Sequence, residues 1–282
     1  MTEPQQQWTE TIESSHSLFD LKLKEVWRYK DLVYMFVKRD FVAEFKQTVL
    51  GPLWFFINPI FTTLVYVIVF GNIAGLSTDG APKVLFYLAG VTLWNYFSNC
   101  LTKTSSVFRD NASIFGKVYF PRLVMPLTIV LSNLMKFGVQ FALFISFLIY
   151  YIFKGEVQPN IWAVATPLII ILMAAFALGT GMIFSALTTK YRDLQMLLGF
   201  GVSLFMYATP VIYPISSLSG TWKRLALCNP LTGIFECFKY GWLGVGGFSS
   251  TMLLVSMLII LIILAIGTII FTKVEKGFMD TV

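Results

Sequence analysis

The feature that most constrains this chain is a run without charge. Between Lys46 and Asp79 there is no Asp, Glu, Lys or Arg, and the run is dense in Phe, Ile, Leu and Val. A bilayer asks for about 20 such residues per crossing helix. Similar runs recur to the end of the chain. Charged residues make up 13% of the sequence and hydrophobic ones 56%, whereas a soluble domain carries about 25% charged residues. The chain is therefore expected to be an integral membrane protein.

The bend at Gly51-Pro52 divides a charged amphipathic part from the first apolar run. Residues 1–17 are polar, read as a disordered tail, and hold no apolar core for a cleaved signal peptide. From Leu18 to Tyr29, Phe19, Leu23, Val26 and Trp27 share one helical face. A second amphipathic helix follows over Asp31–Lys46, with Val33, Val37, Phe41 and Phe45 every four residues beside Lys38 and Arg39. Basic residues next to an apolar stripe suit a helix lying in the headgroup plane. Pro52 fits the first turn of a helix, where no hydrogen bond is lost.

Six spans are expected, at about 53–70, 84–101, 123–153, 161–187, 194–213 and 251–271. Residues 214–247 are apolar but interrupted by Pro214, Pro230 and several glycines. They read as short helices dipping part-way into the bilayer, where irregular backbone survives only if protein or water covers it. The fold class is thus all-α integral membrane, divided into a 1–17 tail, an amphipathic 18–50, a membrane domain over 51–273 and a tail over 274–282. Fifteen of the 21 Lys and Arg fall on the side of the two termini and five on the other, leaving Lys136 inside a span. The positive-inside rule then places both termini in the cytoplasm.

The catalytic repertoire is thin. The one histidine, His16, lies in the N-terminal tail, and no phosphate-binding Gly-x-x-x-x-Gly-Lys-Ser/Thr loop occurs. No carboxylate falls in the core of a span, which argues against a carboxylate ion relay. Cys100, Cys228 and Cys237 lack metal spacing, although Cys228 and Cys237 could pair in an oxidising space. The chain is not expected to be an enzyme, to carry a cofactor or to bind nucleic acid. Compact charged loops between the spans look like docking surfaces for a separate engine.

Several motifs carry a family likeness. They are Trp27-Arg-Tyr-Lys-Asp-Leu32, Lys38-Arg39-Asp40, Lys46-Gln-Thr-Val-Leu-Gly-Pro-Leu-Trp54 and Lys117-Val-Tyr-Phe-Pro-Arg122. Tyr191-Arg-Asp-Leu194, Thr209-Pro-Val-Ile-Tyr-Pro214, Asn229-Pro-Leu-Thr-Gly233 and Val274-Glu-Lys-Gly-Phe278 complete the set. Together they resemble the membrane subunit of ABC-2 type polysaccharide exporters, nearest to those for lipid-linked O-antigen, with teichoic acid exporters next. The resemblance implies a homodimer of six-span permeases in the bacterial inner membrane. Two copies of a separate ATPase subunit would bind ATP and Mg, and the substrate would be a polysaccharide on a lipid diphosphate. It also implies that Asp31–Lys46 is a gate helix hinged at Gly51 and Pro52. Arg109, Asp110 and Lys117, in a coupling helix over Arg109–Phe120, and Tyr191, Arg192 and Asp193 would contact the ATPase. Residues 214–247 would be re-entrant helices closing the outer end of the pore.

The residues admit further readings. Sugars stack on aromatic faces, and Trp54, Phe55, Tyr66, Phe205, Tyr207 and Tyr213 are candidates for a sugar path. Lipid-facing and interfacial aromatics have the same signature. Phe205 and Tyr207, two residues apart, cannot share a helical face. Arg28, Lys30, Lys38 and Arg39 either collect a lipid diphosphate or contact anionic lipid. Lys136 either binds a diphosphate or pairs within the bundle. Gly179, Gly181 and Ser185 read as close helix packing. An exporter of teichoic acid, capsule or a small hydrophobic compound shares this topology. A membrane-embedded glycan-modifying enzyme would need a polar constellation that this sequence lacks, and a passive channel would leave the docking loops unexplained.

Overall fold

The computed structural model describes residues 23–46, 48–118, 120–191 and 193–278, excepting the side chains at 23–25, 45 and 275–278. The 1–17 tail, Arg192 and the last four residues lie outside that set. In chain order the α-helices are α1 (Leu23–Arg28), α2 (Lys30–Phe45), α3 (Trp54–Tyr66), α4 (Lys83–Ser105), α5 (Val107–Asp110) and α6 (Ala112–Phe115). They continue with α7 (Val124–Phe153), α8 (Thr166–Lys190), α9 (Leu194–Ala208), α10 (Gly220–Cys228), α11 (Pro230–Leu243) and α12 (Ser250–Phe278). No strand occurs among the described residues.

Four helical segments are long and apolar enough to cross a membrane: Gly51–Ile73, Val124–Phe153, Ile161–Lys190 and Ser250–Val274. The first is composite. A 3-10 turn over Gly51–Leu53 enters α3, and a wider π-type winding over Val67–Ile73 extends it past the expected end at Phe70. α4 has 23 residues but a polar flank. α9 stops at Ala208, short of the expected Tyr213. Thr209 is extended (φ −106°, ψ 144°) ahead of Pro210, because a residue before proline is pushed out of the helical region. Fifteen residues of helix reach about 22 Å, less than the roughly 30 Å of the hydrocarbon core.

The core is built around α4. Leu85 to Leu93 is almost wholly buried, and the helix packs on α3, α7, α8, α9 and α11. α8 lies along both α4 and α12. Small residues permit this closeness. A Cβ on Gly179 would stand 2.8 Å from the Leu264 backbone, one on Gly181 would meet Thr104 at 2.6 Å, and one on Gly267 would strike the Gly179 carbonyl. The packing role read for Gly179 and Gly181 is what the structure shows. A second cluster, at the end carrying α5 and α6, joins Phe36, Phe108, Phe115, Phe120 and Phe271, with Phe108 stacked on Phe271 at 4.6 Å. It seats α2 against α7. The buried side of α2 is centred on Phe36, while Val33, Val37 and Phe41 are half-buried.

Candidate functional site

A cleft of about 560 Å³ opens between α3, α4 and α9, within the size range of small-molecule sites. One wall is a polar stripe on α4: Asn95, Ser98, Asn99 and Thr102, ending at Lys103. Steps of three and four keep these residues on one face. Tyr66 of α3 and Gly199, Ser203, Met206 and Tyr207 of α9 face it, with Trp94 at the margin. The Tyr66 hydroxyl donates to Met206 Sδ at 3.2 Å, tying α3 to α9. Asn95 donates to Gln140 of α7 at 3.4 Å. Thr102 and Ser203 donate to carbonyls of their own helices, so their oxygens stay free to accept. Asn99 is exposed on the cleft wall. No carboxylate and no imidazole lines the space. Amides, hydroxyls and aromatic faces suit a hydroxyl-rich ligand, with Lys103 the one charged group on the wall.

The sequence-predicted path residues divide. Tyr66 and Tyr207 line the cleft. Phe205 points the other way, into the core, with ring centroids 6.1 Å from both Trp94 and Phe97. The two-residue spacing separates Phe205 from Tyr207 as expected. Tyr213 donates to the Tyr207 carbonyl at 3.1 Å and holds the chain just past α9. Trp54 is half-exposed, and Phe55 stacks on Phe41 at 5.7 Å, joining α3 to α2. The α4 stripe escaped the sequence reading. Its signal was the polar spacing 95, 98, 99, 102 in an otherwise apolar helix.

The irregular chain after α9 is held by two charged residues of α11. Lys239 is 1% exposed; its ammonium donates to the carbonyls of Pro210 at 2.6 Å and, more weakly, Val211 and Tyr213 at 3.4 and 3.5 Å. It also sits 3.8 Å over the Phe86 ring. One turn back, Glu236 accepts from the N–H groups of Ile215 at 3.3 Å and Gly247 at 3.1 Å. Gly90 lets this chain approach, since a Cβ there would stand 2.5 Å from the Val211 carbonyl. Asn229 caps α11, accepting from Leu231 N–H at 2.9 Å and donating to Thr209 Oγ1 at 2.9 Å. Buried unwound backbone is thereby satisfied, as an apolar setting requires. Residues 214–247 form the expected pair of short helices: α10 is exposed, burying only Ala226, and α11 is mostly buried. Cys228 is exposed, Cys237 is buried, and both are free thiols.

At the α5–α6 end, the two loops read as docking surfaces meet. Arg109 hydrogen-bonds Gln195, which follows the Tyr191–Asp193 loop, and pairs with Asp110 at 3.0 Å. Thr188 Oγ1 donates to the Ser105 carbonyl at 2.7 Å. Lys117, Tyr191 and Asp193 are exposed. The single coupling helix expected over Arg109–Phe120 is instead two short helices, α5 and α6, because each is cut after one turn at Asn111 and Gly116. Arg28, Lys30 and Lys38 are exposed; Arg39 lies 4.6 Å over the Phe36 ring and pairs with Asp40 at 2.8 Å. Gly51 has φ +52° with nothing within 4 Å of a would-be Cβ. The turn between α2 and α3 therefore depends on backbone freedom that glycine supplies.

Long apolar helices, a satisfied broken segment and a cleft free of carboxylates fit a multi-pass membrane protein of the transport class. The chain belongs to the ABC-2 type transporter family, whose model matches residues 31–243. It is 29% identical over 255 residues to the O-antigen export system permease protein RfbA of Klebsiella pneumoniae, covering 89% of this chain and 94% of that one. It is 29% identical over 220 residues to the RfbA of Myxococcus xanthus, covering 77% and 82%. To the inner membrane transport permease YadH of Escherichia coli K12 it is 23% identical over 196 residues, covering 67% and 75%.

Proposed function

We propose that this chain is the permease subunit of an ATP-driven exporter that moves lipid-linked polysaccharide, O-antigen-like in kind, across the bacterial inner membrane. The observation that carries the reading is the cleft of α3, α4 and α9, whose aromatic rings, amides and hydroxyls fit sugar faces and sugar hydroxyls. The names of the relatives that match most of the chain agree with it. In this reading α4, sheltered by the bundle, and the more exposed α9 cross the membrane too, which gives six crossings with both termini cytoplasmic. Two copies assemble as a homodimer, and cleft faces from each contribute to one pore. Two separate ATPase subunits bind at the surface where Arg109 meets the 191–195 loop, with ATP and Mg held on their side. Arg109, Asp110, Lys117, Tyr191, Arg192 and Asp193 form that contact; Gly51 and Pro52 hinge α2 as a gate. Arg28, Lys30, Lys38 and Arg39 gather the lipid headgroup.

The test is affinity purification of the full chain from mild detergent, with mass spectrometry of partners, an ATPase assay and surface-glycan labelling. A nucleotide-hydrolysing subunit should co-purify in stoichiometric amount and be lost on Arg109→Glu with Lys117→Glu. A null strain should lose its surface glycan and regain it with the wild-type gene. A chain that purifies without any ATPase, or a null strain with unchanged surface glycan, overturns the reading.

A further inference from the structure

A second cavity, of about 290 Å³, lies between α2, α4 and α7, large against the about 30 Å³ share of one water. Two lysines converge there on one carboxylate. Lys136 of α7 pairs with Glu44 Oε2, and Lys103 of α4 lies 3.6 Å from Glu44 Oε1. The lysine charges exceed the Glu44 charge by one. Asp40 also lines the space, but its carboxylate is engaged by Arg39 at 2.8 Å. Lys136 is 9% exposed, and a positive charge so sheltered is costly unless an anion faces it. Ser132 Oγ, on the same wall, is buried and has no hydrogen-bond partner, leaving a donor to spare.

Depth fits the same picture. α7 has 30 residues, about 45 Å of helix, so it overshoots a hydrocarbon core of about 30 Å. Lys136 sits about 18 Å from the start of α7, and Lys103 sits two residues before the end of α4. Both belong to the end that carries α2, α5 and α6.

We propose that Lys103, Lys136 and Ser132 form a binding site for a phosphate or diphosphate group, in which the Glu44 carboxylate of α2 is the resident stand-in. A diphosphate brings more negative charge than Glu44 and several acceptor oxygens. It displaces the carboxylate and frees this end of α2 from α4 and α7. Because ligand and Glu44 compete for the same two ammonium groups, removing the Glu44 charge strengthens binding, and removing a lysine weakens it.

The experiment is calorimetric titration of the full chain, in uncharged detergent, with sodium diphosphate. Glu44→Gln is expected to bind about tenfold more tightly than wild type, Lys103→Gln about tenfold more weakly, and the Lys103→Gln/Lys136→Gln double variant not measurably. Glu44 and Lys103 are each more than a third exposed, so the two single variants stay testable even if loss of Lys136 harms folding. Farnesyl diphosphate distinguishes the source: tighter binding than free diphosphate, with competition between them, assigns a lipid-borne group, and equal affinity assigns a free anion. No binding by Glu44→Gln at millimolar diphosphate overturns the proposal. So does an affinity unchanged in Lys103→Gln, or competition only by phosphatidylglycerol discs. The lipid-borne source rests on the export reading, but the anion site does not. Surface-glycan labelling tests that reading and this titration tests the site, so each failure is separately visible.

Discussion

At the scale of single residues, buried charge does structural work and exposed polarity faces the cleft. Lys239 replaces, for three carbonyls, the helix that Pro210 interrupts. Lys239→Met keeps the apolar stem and removes the donors, leaving carbonyls orphaned and Glu236 without its nearby positive charge. The expected cost is about 3 kcal/mol, seen as reduced membrane level and earlier melting in detergent. A melting curve that overlays wild type would refute the role. Asn99 is the opposite case, exposed on the cleft wall with nothing leaning on it. Asn99→Leu should leave protein level unchanged and lower glycan export about tenfold, the worth of about one hydrogen bond in a sheltered path. Surface-glycan labelling at matched expression decides it.

Among elements, the joints matter more than the helices. The turn from α2 to α3 needs Gly51 at φ +52°. With open space around it, Gly51→Ala introduces backbone strain alone, about 1 kcal/mol. The expected result is a modest loss of thermal stability with a larger loss of export, because the strain is relieved by re-aiming α2. Equal export at equal protein level would remove the hinge role. The α8–α12 joint is less forgiving. A Cβ on Gly267 meets the Gly179 backbone, and one on Gly179 meets that of Leu264. Gly179→Leu should therefore force the two helices apart and abolish accumulation of folded protein, read by fluorescence-detected size exclusion. Accumulation at wild-type level would show that the two helices can re-pack.

For the whole molecule, one side of the bundle is unfinished. Phe200, Leu204 and Tyr207 of α9 and Trp54, Phe61 and Leu64 of α3 are exposed, and the cleft between these helices is open on one side. Lipid would cover the apolar residues but leave the exposed Asn99 amide without a partner. The proposed second copy, closing a hydrated pore, would resolve both. The complex is expected to weigh as two permeases and two ATPase subunits by native mass spectrometry, and a one-to-one complex that still exports would remove the shared pore.

Local chemistry could be read along the chain before any fold was known. Run length and scarcity of charge marked spans at about 53–70, 123–153, 161–187 and 251–271, which coincide within a few residues with the long apolar helical segments Gly51–Ile73, Val124–Phe153, Ile161–Lys190 and Ser250–Val274. Pro52 and Pro230 marked where helices begin, and the two-residue step separated Phe205 from Tyr207; Pro210, inside a span expected to reach Tyr213, is where the structure ends α9. These are properties of one residue and its neighbours along the chain, fixed by backbone geometry and transfer free energy. Only the tertiary structure decided which distant groups meet. Glu44 reaches Lys103 and Lys136, Lys239 finds Pro210, Arg109 finds Gln195, and the α4 stripe faces Tyr66 and Tyr207. A 3.6-residue period tells which residues share a face but not what that face meets. Helix crossing is set by where small residues such as Gly179, Gly181 and Gly267 allow backbones to touch, and that is a property of pairs of helices.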